Sequence, residues 1–216
     1  MVIRKKKEKK VNEGDVDADR HGDCWIYIAK TAETKLHLAH STGKRVQDTA
    51  DKLMETVRKR GKIPTKDEKA TFFSDGNDQY TKAILKNFDV ETINYGQLIK
   101  EREEGRVVGK TRTIIFGEVD GIDTSYVERY NLTLRHGISR LVRKSLCFSK
   151  CKVMLDNHLD VYQCYNNLIR INSALTIKTE KGEKNIVRTP CMAEGITDHI
   201  WTWKELLMFK TTSTIT

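Results

Sequence analysis

Between Cys24 and Gly61 the spacing of apolar residues changes period, and that change restricts the chain to a fold that uses strands and helices together. In "CWIYIAKTAETKLHLAH" Trp25, Tyr27 and Ala29 alternate with Ile26 and Ile28; after a polar turn Leu36, Leu38 and His40 alternate with His37 and Ala39. A period of two predicts two strands joined as a hairpin. In "KRVQDTADKLMETVRKRGK" Val46, Ala50, Leu53 and Val57 recur at helical spacing. They form the single stripe of an amphipathic helix, with Gly61 to close it. "ATFFSD" reads as a short buried strand ending at Asp75 before a Gly-Asn turn, and "QYTKAILKNF" as a short helix packing Tyr80, Ile84 and Phe88. "VETINY" allows another strand, whereas the charged, glycine-bearing stretch from Gly96 to Gly121 offers only "RTIIFG". From Ser125 the stripe Val127, Tyr130, Leu134, Ile138 and Leu141 predicts a long helix with Gly137 inside it. A further helix is predicted over "KVMLDNHLDVYQCYNNLIRI". Near the end, a proline-led turn precedes a short amphipathic helix, with Trp201, Trp203, Leu206 and Leu207 available to dock on the body. Strands first, then a helix, a strand and more helices predict an α/β layer fold, a mixed sheet flanked by helices with its chemistry at the strand ends.

A chain of 216 residues can bury one substantial core. With 38% hydrophobic and 32% charged residues it is neither a disordered nor a membrane sequence, and no apolar run reaches the roughly 18 residues of a membrane span. No membrane partner is expected, and the protein is expected in the cytoplasm. Five cysteines, an odd number at irregular spacing, point to reduced thiols. "CFSKC" lacks the second pair a zinc site needs, so buried small thiols are the expectation. The formal charge of +9 permits a polyanion as partner. "MVIRKKKEKK" sets six basic residues after an apolar stub, either a solvated tract or a phosphate-contacting loop. The expected organisation is a short strand with a basic and acidic loop over 1–23, a core over 24–175, and a tail with a docked helix over 176–216.

The candidate chemistry lies in two carboxylates. Asp75 closes its strand where a side chain can reach a cleft, and carboxylates from separate elements can hold two hard cations that act on a phosphodiester. Asp75-Gly76 is equally a turn pattern. Glu128, near the start of the long helix, is followed by Asn131 and Arg135 on the same side. A carboxylate, an amide and a guanidinium suit a metal beside a phosphate. Against this, Ser125-x-x-Glu128 is a capping-box pattern in which Glu128 only turns back on the helix N-terminus. Arg135, Arg140, Arg143 and Lys144, with Arg4 to Lys10, are candidate DNA-phosphate contacts or a solvated face.

"TSYVERYNLTLRHGISRLVRKSLCFSKC" resembles the signature segment of the insertion-sequence-one-like DDE transposases, in which a glutamate of the form "VER-x-N-L-x-x-R" supplies the third acid. "CWIYIAK" resembles the strands after the first acid and "FFSDGNDQY" the element bearing the second. "RTPCMAEGITDHIWTWKELL" is similar to a tail common in such proteins. The resemblance implies a ribonuclease-H-like core with two divalent cations, Mg2+ or Mn2+, held by Asp, Asp and Glu. It implies nicking of double-stranded DNA at transposon ends, strand transfer into target DNA, a prokaryotic, nucleoid-associated setting, and it admits a homodimer. Carried over by motif, the second acid and metal ligand is Asp75 and the third Glu128, with Asn131 and Arg135 in the same helical signature. Met1-Val2-Ile3 resembles only the tail of the strand that bears the first acid. That strand is therefore expected to be largely missing, the first aspartate and any DNA-reading domain ahead of it absent, and activity reduced. Asp15, Asp17, Asp19 and Asp23 are assigned no role, and "CYNNLIRINSAL" lacks the histidine-containing form of that segment. Two alternatives stand beside this: a DNA-binding or regulatory chain without catalysis, and a ribonuclease-H-like nuclease with another role.

Overall fold

The computed structural model describes residues 2–4, 22–104, 106–142, 145–179 and 184–210. The basic run beyond Arg4, the acidic loop with Asp15, Asp17 and Asp19, and Arg143 and Lys144 lie outside the described residues. The chain divides into two compact units, one of Met1–Ala29 with Leu38–Lys152, the other of Lys30–His37 with Val153–Thr216.

In the first unit, β1 (Val2–Arg4), β2 (Gly22–Lys30) and β3 (His37–Gly43) form one sheet in that order. β1 runs antiparallel to β2, with Val2 opposite Cys24. α1 (Gln47–Arg60) buries Ala50, Leu53, Met54 and Val57, the stripe its period predicts, but Val46 is the N-cap and 46% exposed. Gly61 closes the helix in an extended conformation, its N–H donating to the Val57 carbonyl. These side chains share a core with Tyr27, Ala39, Ala83, Ile84, Ile93 and Tyr95.

β4 (Ala70–Asp75) covers the predicted "ATFFSD", and α2 (Asp78–Asn87) follows, capped by Asn77, whose side chain accepts from the Gln79 N–H. β5 (Ile93–Glu103) pairs parallel to β4, and β6 (Arg106–Phe116) antiparallel to β5. The fold is thus α/β with a mixed three-stranded sheet and helices, and the strands fall into two sheets where one was expected. Only one end of the long β5–β6 ribbon has a counterpart in the sequence, "VETINY" at the start of β5 and "RTIIFG" at the end of β6, and the stretch between them was not expected as strand. β4 accompanies β5 only as far as Asp75 opposite Leu98, while β5 and β6 stay paired to Glu103 opposite Arg106. Ile99, Val107 and Val108 are exposed there. A ribbon with no buried face has no reason to alternate apolar and polar residues, so the period-two signal is missing.

The mixed sheet has two covered faces where β4 and β5 meet. Phe72 and Tyr95 face the main core, whereas Phe73 and Leu98 pack with Val119 and Ile122. Gly96 permits the second contact, since a Cβ there would lie 2.6 Å from Ile122 Cδ1. Arg112 Nε donates to the Ile122 carbonyl at 3.1 Å, and the Glu118 N–H to Asn94 Oδ1 at 3.3 Å. These contacts fix the segment that delivers α3 (Ser125–Gly137).

α3 buries Tyr130 and Leu134, then stops at Gly137; buried Ile138 is extended, and Leu141 sits in a separate 3-10 turn. The expected helix to Lys144 is therefore shorter than its apolar stripe, which continues across a glycine break.

In the second unit α4 (Lys152–Cys164) buries Leu155 and Leu159 and runs on into a π-helical turn, Tyr165–Ile169. Gln163 and Asn167 donate to the His37 carbonyl, and Asn167 accepts from its N–H. α5 (Pro190–Ala193) is capped by Thr189, and α6 (Trp203–Met208) by a Thr202/Glu205 capping box. The five cysteines form no disulfide with one another, and the expectation of buried thiols in "CFSKC" is corrected: Cys147 and Cys151 are exposed, while Cys24 and Cys191 are the buried ones. Among the described residues no helix is long and apolar enough to cross a membrane.

Candidate active site

Asp75 is the last residue of β4 and is exposed. Side chains of paired strands alternate faces together, so the register that sets Phe73 opposite Gly96 and Asp75 opposite Leu98 puts Asp75 on the face of Leu98 and, two residues on, Lys100. At the strand's end its charge also reaches the other side. Tyr27 and Tyr80 there have hydroxyl pKa values raised by burial first, with the Asp75 carboxylate adding to it.

Glu128 lies in the first turn of α3, but not as a cap. The N-cap residue is Thr124, not Ser125, and its side chain caps no backbone N–H. The Ser125 N–H is taken by Asp123 Oδ1 at 2.9 Å. Glu128 Oε1 instead accepts from Thr124 Oγ1 at 3.0 Å and forms an ion pair with Lys100 Nζ. The capping-box reading fails because Asp123 already occupies the donor it needs.

Lys100 has a like-charged neighbour, since it stands directly opposite Lys110 across the β5–β6 ladder. Like charges in that position repel, and the Glu128 carboxylate offsets the repulsion. Partial burial pushes the Glu128 carboxyl up, but hydrogen bonds from Lys100 and Thr124 and the charges of Lys100 and Lys110 outweigh it and hold the group below the ordinary glutamate range. No sequence pattern pointed to Lys100, Lys110 or Thr124. Strand register alone brings them to Glu128.

Asn131 and Arg135 follow Glu128 within α3 and are half-buried. Arg140 is on the separate 3-10 turn, so it does not extend the α3 face. The grouping of Arg140 with Arg143 and Lys144 on one helix is thereby corrected as far as Arg140 is concerned. Among the described residues no group of three His, Cys, Asp or Glu side chains could hold a metal ion. Of the two candidate carboxylates, Glu128 is already paired with the Lys100 ammonium. The two fall short of the three acids that a bridged pair of cations needs.

Residues 114–168, which contain α3, match the IS1 transposase family. Comparison with curated proteins and with solved structures found no match.

Proposed function

The match at residues 114–168 supports an IS1-like DDE transposase family, and on that premise we propose that this chain acts on double-stranded DNA through Asp75 and Glu128, on a ribonuclease-H-like arrangement of its strands. The family's partner is DNA and its members generally use divalent metals. The observation that carries the reading is the register of β4 on β5: Asp75 is opposite Leu98, and Lys100, on the same face, pairs with Glu128. Asp75 thus shares a sheet face with the lysine that pairs with Glu128, although 53 positions separate the two proposed acids in sequence.

Asp75 and Glu128 would hold Mg2+ or Mn2+, which when bound supplies Lewis-acid activation of a phosphodiester. The chain's own part is to bind and orient the DNA. Asn131 and Arg135 stand one and two turns beyond Glu128, where an amide and a guanidinium can hold a phosphate, and Arg140 adds a charge from the neighbouring turn. Lys100 pairs with Glu128 and neutralises its charge.

The test is nicking of supercoiled DNA with Mn2+. Asp75→Asn and Glu128→Gln are each expected to lower nicking at least about 100-fold while leaving DNA affinity in place. Nicking that survives both substitutions would remove these acids from the site. A second reading, DNA binding without catalysis, is favoured by one observation: Lys100 and Lys110 both bear on Glu128, which makes its surroundings cationic. It expects no Mn2+-dependent nicking, and salt-sensitive binding that Asp75→Ala and Glu128→Ala leave unchanged.

A further inference from the structure

The second unit carries a row of aromatic and cationic side chains that the reading above does not use. Trp203, at the start of α6, stacks on Tyr165 with ring centroids 5.4 Å apart and planes 3° from parallel. Tyr165 meets Tyr162 edge-on at 5.7 Å. Arg170 Nη1 donates to the Tyr162 hydroxyl at 3.4 Å. Beyond Arg170 the row continues electrostatically, because its charge and that of Lys35 both act on Lys30. Six side chains, from the end of β2 and the segment between β2 and β3, from α4, from the π-helical turn and its C-cap Arg170, and from α6, therefore form one series.

The series is held in place before any ligand arrives. The Trp201 N–H donates to the Leu168 carbonyl at 3.0 Å, joining the residues ahead of α6 to the π-helical turn. The Thr202/Glu205 capping box fixes the first turn of α6, where Trp203 lies. Although Tyr165 covers one of its faces, Trp203 remains 47% exposed. Arg170 is exposed as well.

Packing alone does not account for this combination. An indole buried for stability would bring its open side inward, and cations gathered for solubility would spread apart. A stacked indole that stays half exposed, at one end of an aromatic row whose other end carries Arg170 with Lys30 and Lys35, matches a ligand that has a flat ring and a negative charge in every repeat unit. Unpaired nucleotides have both, whereas a duplex hides its ring faces in its own stack. We propose that this unit binds an unpaired DNA strand, with a base stacked on Trp203 and the adjoining phosphates drawn to Arg170, Lys30 and Lys35. The proposal rests on DNA being the partner of this chain, as proposed above.

The experiment measures fluorescence anisotropy of a short labelled oligothymidylate and of a labelled duplex of the same length, against the full chain at fixed salt. Trp203→Ala is expected to weaken oligothymidylate binding about tenfold, the loss of one base–aromatic stack, with duplex binding unchanged. Trp203→Phe, which keeps a ring, should retain most of the affinity. Arg170→Gln should weaken binding and reduce the salt dependence by about one ion. If Trp203→Ala loses helix content by circular dichroism, Trp203→Phe and Arg170→Gln decide. Oligothymidylate affinity that stays at the wild-type level in Trp203→Ala and Arg170→Gln overturns the proposal and leaves the Tyr165–Trp203 stack as a docking contact of α6. Duplex binding with no oligothymidylate binding overturns this proposal alone. Binding of neither overturns it together with the DNA reading on which it rests.

Discussion

Glu128 shows how one side chain can satisfy a local motif on paper and a tertiary role in the fold. Its four-residue neighbourhood suggests a cap, yet the carboxylate turns to Lys100 and Thr124 because Asp123 has already satisfied the Ser125 N–H. Glu128→Gln should leave Lys100 opposed to Lys110 and lower stability by about 0.5–1 kcal/mol, a small figure because the pair is partly solvated. In urea titrations Lys100→Met should recover part of that loss in the double mutant. A loss that is simply additive would deny the coupling. Lys30 offers a pH prediction. Burial first, then Lys35 and Arg170, lower its pKa from 10.5 to about 8. Between those values the unfolded chain binds more protons than the folded one, so stability rises with pH there, and the penalty of the buried charge is fully present below about 8. Lys30→Met should therefore raise the urea midpoint at pH 7 and flatten its rise between pH 8 and 10. A slope as steep as that of the unaltered chain would show that Lys30 is not the group responsible.

At the scale of elements, the placement of α3 depends on a glycine in a strand. Gly96 lets Val119 and Ile122 approach β5, and through them sets where Ser125 begins its helix. A valine there would have to displace Ile122 or bend β5, so Gly96→Val is expected to cost about 1–3 kcal/mol. The Lys100–Glu128 coupling should weaken with it, since the carboxylate is carried by the displaced element. A thermal melt within a degree of wild type would show that the 117–124 segment repacks freely. The elements easiest to read in advance were the helices with one buried face, since α1 and the buried stripe of α3 follow the residues their periods picked out. β4, expected as a buried strand, is only half-buried, with Thr71 and Asp75 exposed. Only the end of the β5–β6 ribbon near Ile93–Tyr95 and Arg112–Phe116 was legible, because beyond Leu98 the strands have no buried side to impose a pattern. The end of α3 was misjudged for a related reason. Ile138 and Leu141 keep their burial after the helix has stopped, so the apolar stripe did not mark the helix boundary.

For the whole chain, the excess of 39 basic over 30 acidic residues is a statement about partners rather than about fold. If it serves DNA, the logarithm of affinity for duplex should fall linearly with the logarithm of salt concentration. Arg135→Gln and Arg140→Gln should each reduce that slope by about one. A slope near zero would assign the charge to solubility. The stripe of α1 was determined by the sequence itself, because burial of one face writes a period into neighbouring residues. The strands at Trp25–Ala29 and at Ala70–Asp75 were legible from their strand-forming residues, although neither buries one face alone. The "VERYN" segment lies within the residues that match the IS1 transposase family. What only the tertiary structure decided is the setting of the two acids: Lys100 and Lys110 reach Glu128 through strand pairing, and Asp75 shares their face through the β4–β5 register. Pairing register is fixed by hydrogen bonds between distant segments, and no local spacing records it.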